Sequence, residues 1–121
     1  MTKQIKIKQK EGITLAVSGP SGVGKNSVIS ALRERYNDIR HSVSVTTRLP
    51  REDEIDGVHY YFRSKTEFEE MIAEGEILEY DIYCDEYYGT PKSPLERMRS
   101  EGINVMLDLT VAGALALKNN Y

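Results

Sequence analysis

The sequence predicts an α/β fold in which a parallel-sheet core carries a small, β-rich inserted lobe. Three stretches carry that prediction. An apolar run, Ile13 to Val17, enters a glycine-rich loop, Gly19-Pro20-Ser21-Gly22-Val23-Gly24-Lys25, and leaves it as an amphipathic segment from Val28 to Leu32. A second apolar run, Ile103 to Leu107, closes on Asp108 and precedes an alanine- and leucine-rich segment, Val111 to Lys118. Between them, residues 42–91 alternate aromatic and β-branched runs with turns and one helix. A single domain over residues 1–121 is therefore expected: core 13–41 and 92–121, lobe 42–91, and an extension, 1–12, ahead of them.

The elements follow from local pattern. In the extension, Ile5 and Ile7 alternate with Lys6 and Lys8, as in a short strand with a charged edge. A solvated extension is the plainer reading and a basic arm for an anionic partner the sharper one. Ile13 to Ser18 is short, apolar and ended by glycine, as a buried parallel strand is. From Lys25 to about Tyr36 the residues Val28, Ile29 and Leu32 form one helical stripe, with Arg33, Glu34 and Arg35 mostly off it and Asn37-Asp38 as the stop. His41 to Thr47 alternates Val43 and Val45 with small polar residues, a strand pattern. Arg48 to Arg51 turns into an acidic loop, Glu52 to Gly57, and Val58 to Phe62 is an aromatic strand. Thr66 is the expected cap of a helix reaching Ala73, with Phe68, Met71 and Ile72 inward and Gly75 ending it. Ile77 to Tyr83 is a strand, and Tyr87-Tyr88-Gly89 begins its return. Ser93, Pro94 and Glu96 have the spacing of cap, first helical position and capping box for a helix ending at Gly102. Ile103 to Asp108 is a second buried strand and Val111 to Lys118 a last helix.

Composition narrows the function. Sixteen basic against nineteen acidic residues leave a net charge of −3 over 121 residues, which argues against a general nucleic-acid binder. A nucleotide needs only a local basic pocket. The single cysteine, Cys84, excludes an internal disulfide and a cysteine metal cluster and suits a reducing cytoplasm. No apolar run approaches membrane-spanning length and no secretory segment follows Met1, so no membrane partner is expected and the location reads as cytoplasmic.

The spacing GxxxxGK is that of a phosphate-binding loop, and its context, strand before and helix after, is the one the motif requires. Glycines let backbone N–H groups turn inward around a phosphate, and the helix N-terminus adds a favourable dipole. Lys25 would set an ammonium against the outer phosphates. After that lysine a hydroxyl usually meets Mg²⁺; here Asn26 stands there and Ser27 one further on, so either is the candidate ligand. Asp108, at the end of an apolar strand, has the place of the second, metal-side carboxylate; a plain strand-end residue is the alternative. In the lobe, Arg48 and Arg51 flank Pro50 and could clamp a phosphate or carboxylate, or be ordinary solvated arginines. Tyr60 and Tyr88 could each donate to the same anion, or simply pack. Glu79, inside an apolar strand, could accept two parallel N–H bonds from a base edge, or face solvent.

Taken together these stretches resemble guanylate kinase, the ATP-dependent enzyme that phosphorylates GMP and dGMP. The resemblance rests on SGPSGVGK (Ser18 to Lys25), SVSVTTRLPR (Ser42 to Arg51), Glu54, Gly57, Tyr60, Phe62, ILEY (Ile77 to Tyr80), YYGTP (Tyr87 to Pro91) and LDL (Leu107 to Leu109). The TTRxPR run joined to YYGT is its specific part, and the match runs from about Ile13 onward. It implies a phosphate-loop kinase core with an inserted lobe that binds the nucleoside monophosphate. It implies Ser44, Glu79 and Thr90 as readers of the guanine, and Arg48, Arg51, Tyr60 and Tyr88 as the clamp on the GMP phosphate. ATP would lie in the loop Gly19 to Ser27, with Mg²⁺ on Ser27 and Asp108, and Asp108 would also face the substrate. Lys25, Arg48 and Arg51 would act on the group in transfer.

The sequence departs from the family pattern at Asn26, at Asp53 where PRxGE has glycine, at Asp85-Glu86 where Gly-Asn is usual, and at Thr110 and Ala112 where aspartate and glutamine are usual. Three extra loop carboxylates are expected to weaken binding of an anion. Family members also continue well past the position of Tyr121, with further core strands and a lid bearing arginines. The core is thus expected to look truncated, with an exposed sheet edge that invites self-association. Two other readings stay open: a non-catalytic guanylate-kinase-like binding module for phosphopeptide or nucleotide, which would not need Lys25, and a phosphate-loop kinase for another small phosphorylated substrate. Because charge stabilisation is usually the largest catalytic term, the 121-residue chain is expected to turn over ATP and GMP poorly. A coupled ADP-release assay with Mg²⁺ checks this, and robust turnover would contradict it.

Overall fold

The computed structural model describes Gly12 and residues 14–18, 30–31, 34, 39–109 and 111–120, with backbone alone for residues 16–18, 108, 111–112 and 119–120. The basic arm, the phosphate loop Gly19 to Ser27, Thr110 and Tyr121 lie outside the described residues. Of the first predicted helix, Ser30, Ala31 and Glu34 are described and are helical.

The described residues form two sheets. In the core, β7 (Asn104–Leu109) lies between β1 (Thr14–Ser18) and β2 (Ile39–His41), parallel to both. The sequence of β7 is apolar at successive positions, as a strand covered on both faces must be. Val105, Met106 and Leu107 are accordingly buried. Helix α2 (Lys92–Ser100) brings Leu95, and helix α3 (Val111–Asn120) brings Leu117, against Val105, Leu107 and Leu109, with Leu78, Met98 and Ala114 packed around them. Full burial of side chains of this size stabilises by about 1.5–3 kcal/mol each, and that is the main force holding helices to sheet.

The second sheet, ordered β4-β3-β6-β5, is built from β3 (Val45–Thr46), β4 (Tyr61–Phe62), β5 (Ile77–Tyr83) and β6 (Glu86–Pro91). Strand β6 runs antiparallel to β3 and to β5, and β4 runs parallel to β3. Helix α1 (Lys65–Ala73) covers it through Phe68, whose buried ring stacks on Tyr87 at 4.7 Å and meets Tyr80 edge-on at 6.0 Å.

Four local expectations are corrected. His41 to Thr47 is not one strand: the Ser42 N–H bonds Met106 O in the core sheet, while Ser44 O already accepts the Tyr61 N–H in the other. Val58 to Phe62 shortens to Tyr61–Phe62, because residues 55–60 close on themselves, with Val58 and His59 N–H on Ile55 O and Gly57 N–H on Tyr60 O. The cap of α1 is Ser64 rather than Thr66: its hydroxyl accepts the Glu67 N–H, and the Glu67 carboxylate accepts the Ser64 N–H. Ser93 does not cap α2, which starts after Pro91. Its hydroxyl donates to Glu76 at 2.7 Å instead, tying the helix start to the end of α1's connection. The stop at Gly75 holds, with φ of 75°, a left-handed conformation that glycine adopts without strain.

The β5–β6 hairpin turns on two residues, Cys84 and Asp85, with φ of 51° and 63°. Positive φ at both central positions is the pattern that favours Asn-Gly. Replacing Cys84-Asp85 by Asn-Gly should therefore raise stability by about 0.5–1 kcal/mol, seen as a higher urea midpoint; a lower midpoint would contradict this turn geometry.

Candidate functional site

The parallel core sets where a site can form. Val17 pairs with Asp108 and Ser18 with Leu109, so β1 delivers the chain to residue 19 at the edge where β7 also ends. The carboxyl end of a parallel sheet is the usual ligand-binding edge of such folds. Lys25, Asn26 and Ser27 lie outside the described residues, and Asp108 is described by backbone alone. Leu109, at that edge, lines a cavity of about 140 Å³ together with Ser44, Tyr60, Glu79, Asp81, Tyr88 and Gly89 from the lobe. A larger cavity of about 490 Å³ also touches Glu79 but is lined by Gly75, Ile77, Tyr80, Lys92 and Glu96 among others, and by neither arginine nor tyrosine of the expected clamp.

Glu79 is 8% exposed, not the solvent-facing strand residue of the plainer reading. It sits opposite Thr90 across a bulge in the β5–β6 pairing, and the Thr90 hydroxyl donates to its Oε1 at 2.8 Å. Burial pushes the Glu79 carboxyl above the usual carboxylate range; the Thr90 bond acts the other way, and the charge of Asp81 adds to the rise.

The strand β3 aims Arg48. Thr46 and Thr47 seam β3 to β6: the Thr46 hydroxyl donates to Tyr87 O at 2.8 Å, and the Tyr87 N–H donates to the Thr47 hydroxyl at 2.9 Å. The Thr47 hydroxyl in turn donates to Glu86 at 2.5 Å, so one of the extra loop carboxylates is bound into the seam. Past the seam, Arg48 grips Glu54 with both terminal nitrogens, at 2.8 and 3.0 Å, and the Arg51 N–H reaches the same carboxylate at 2.7 Å. The guanidinium carbon lies 5.2 Å from the Tyr60 ring centre and 5.9 Å from that of Phe62. Tyr88 lies close enough to Arg48 to add to the rise of its pKa, and its ring meets that of Tyr60 edge-on at 6.1 Å. The Arg48 hydrogen bonds, then the Arg51 N–H, hold the Glu54 carboxyl down at about 2, and the same pairing raises Arg48 far above its ordinary value.

Of the expected residues, Ser44, Tyr60, Glu79 and Tyr88 share the cavity, Thr90 bonds Glu79, and Arg48 adjoins Tyr60 and Tyr88. Arg51 is exposed, and what it brings to the cluster is its backbone N–H. Glu54 and Asp81 were not among the expected site residues. Glu54 had a signal, a carboxylate three residues past Arg51 on a proline-stiffened loop. Asp81 had one in its spacing, two residues from Glu79 on the same strand.

The guanylate kinase family model matches residues 11–120 of this chain. The chain belongs to the guanylate kinase family. It is 49% identical over 111 residues to a guanylate kinase of Clostridium perfringens, covering 92% of this chain and 51% of that one. It is 46% identical over 115 residues to a guanylate kinase of Oceanobacillus iheyensis, covering 95% and 55%. The crystal structure of guanylate kinase from Anaplasma phagocytophilum superposes with a TM-score of 0.71 at 33% identity, over 91% of this chain and 54% of that one. The chain thus spans about half the length of these relatives. Its α/β fold with a parallel core sheet is the fold of that kinase family. Among the described residues no helix is long and apolar enough to cross a membrane.

The Glu54 anchor makes a pH prediction. Its folded pKa is lowered from 4.5 to about 2, so its contribution is complete above about 4.5 and is lost as pH falls toward 2. The urea-midpoint difference between wild type and Glu54→Gln should be full at pH 7 and shrink below about 4.5; a difference that does not change with pH would contradict the anchor.

Proposed function

We propose that this chain carries the GMP site and the phosphate loop of an enzyme that moves a phosphoryl group from ATP to GMP or dGMP, giving ADP and GDP. The observation that supports it best is the company Glu79 keeps: a buried carboxylate in one cavity with Ser44, Tyr60 and Tyr88, next to the Arg48 cluster. A buried carboxylate needs hydrogen-bond donors, and the N1–H and amino group of guanine offer them side by side. Thr90 already holds one oxygen of Glu79 and so fixes its plane. Ser44 adds a hydroxyl on the cavity wall for the remaining base edge.

The phosphate of the same nucleotide would lie on Arg48, Tyr60 and Tyr88, with Arg51 turning in. Arg48 already holds a planar oxyanion in its fork, that of Glu54, and the geometry for phosphate is the same. These residues would position a phosphate oxygen for in-line attack, and positioning with charge neutralisation is most of the catalysis such transfers need. For ATP and Mg²⁺ the candidates are Gly19 to Ser27, with Lys25 against the phosphates, and Ser27 or Asn26 with Asp108 on the metal. The parallel pairing of Val17 with Asp108 supports this, since it sets that carboxylate position beside the entry to the loop. Bound there, MgATP supplies the transferable phosphoryl group and screens its charge. A cytoplasmic location goes with this reading, and so does one domain with a core, 13–41 and 92–121, and a GMP-binding lobe, 42–91.

Glu79→Gln tests it. Loss of a charge-assisted pair should lower GMP affinity by about 10–100-fold in isothermal titration, with unchanged affinity contradicting the base-reading role. Because burial raises the folded pKa of Glu79, its ionised form works against the fold at pH 7 and not at pH 4. The same variant should therefore raise the urea midpoint at pH 7 and not at pH 4. Preference of the wild type for a phosphoserine peptide over GMP would favour a binding module instead.

A further inference from the structure

Glu79 does not face its cavity alone. Asp81 is two residues further along β5, and both line the same cavity with Ser44, Tyr60 and Tyr88. Across the hairpin Asp81 pairs with Tyr88. Its Oδ1 accepts the N–H of Ile82 at 2.9 Å, which orients the carboxylate and leaves Oδ2 for another donor. Among the described residues no basic side chain makes an ion pair with it. Two carboxylates on one wall repel, and the charge of Asp81 adds to burial in pushing the Glu79 carboxyl up. Such a wall suits a neutral ligand edge with several N–H donors in a row. One fork, that of Glu79, can take two of them; a third needs a second acceptor beside it.

We propose that Asp81 is a specificity-determining residue that accepts the second hydrogen of a purine's exocyclic 2-amino group, so that the site selects 2-aminopurine nucleotides over those with hydrogen at that position. The proposal rests on reading the cavity as the base site. Asp81 is exposed in the open cavity; once a base covers it, a missing amino group leaves its oxygen desolvated and unpaired, and the analogue binds less well. Asp81 then turns an electrostatic burden in the empty cavity into selectivity for guanine over hypoxanthine in the filled one.

Isothermal titration with GMP and with IMP, on wild type, Asp81→Ala, Asp81→Asn and Glu79→Gln, tests it, with urea midpoints to verify folding. Asp81→Ala should lower the GMP-over-IMP affinity ratio by about tenfold, chiefly through weaker GMP binding. Asp81→Asn, which keeps an acceptor oxygen, should fall between. An equal gain for both nucleotides would mark Asp81 as a charge that merely repels the phosphate and would overturn the proposal, as would no change in either. If Glu79→Gln loses GMP while Asp81→Ala keeps the ratio, only the role of Asp81 falls. If folded wild type shows no saturable GMP binding, the base-site reading falls and this proposal with it.

Discussion

Three residues, Ser42 to Ser44, join the two sheets, and the geometry of the site depends on that short crossing. The Ser42 N–H is still bonded to β7 in the core, and Ser44 O is already bonded to Tyr61 in the lobe. So short a link limits how far apart the end of β2 and the start of β3 can lie. It sets Ser44 on the cavity wall, starts β3 at Val45 and, through the threonine seam, fixes β6 beside it. The lobe therefore opens toward the carboxyl end of β7, where Leu109 closes the cavity.

From that seam the chain runs directly into the arginine that grips Glu54. The arrangement has two consequences that pull against each other. Glu54 holds the guanidinium spread and facing Tyr60, so a phosphate bound there as proposed would meet a preorganised fork and lose less side-chain entropy. The same carboxylate is an anion already in the fork, and a phosphate must share it. Tyr60 and Phe62 add to that positioning, with ring centres 5.2 and 5.9 Å from the guanidinium carbon. Of the loop carboxylates expected to repel a substrate, Glu86 is engaged with Thr47 in the seam, while Asp53 and Asp85 are exposed in turns where solvent screens them.

What could be read in the sequence was what short-range chemistry decides. The strands β1 and β7, Phe68 on the inward face of α1 and the aromatic return of β6 follow from local pattern and are in place, although Leu15 of β1, expected to be buried, is exposed. The errors arose where a long-range bond outcompeted a local one. Ser93 had a cap's spacing but its hydroxyl went to Glu76, seventeen positions earlier in the chain. Ser64, with Glu67, caps the helix that Thr66 was expected to cap, and just before it the Arg63 N–H is tied back to Thr46 O. Val43 and Val45 looked like one strand because alternation does not reveal that a strand changes sheets. In the site, the two arginines were indistinguishable in sequence; only the fold shows that Arg48 packs on aromatic rings while Arg51 contributes its backbone. Asp81 shares a strand face with Glu79 by its two-residue spacing, but only the fold shows that this face lines a cavity.

The glycine of the YYG run shows why recognition and stability are bound together here. Gly89 pairs with Val45 on one side and with Tyr80 on the other, at the centre of the sheet. A Cβ there would come within 2.8 Å of the Phe68 ring and 2.9 Å of the Glu79 carbonyl. The ring is the anchor of α1, and the carbonyl belongs to the residue whose side chain faces the cavity. Both can approach only because nothing projects from position 89. An alanine would have to move the helix or the strand, and moving the strand moves Glu79 away from Thr90. The residue that gives α1 room to close on the sheet is thus the one that keeps the buried carboxylate in its place.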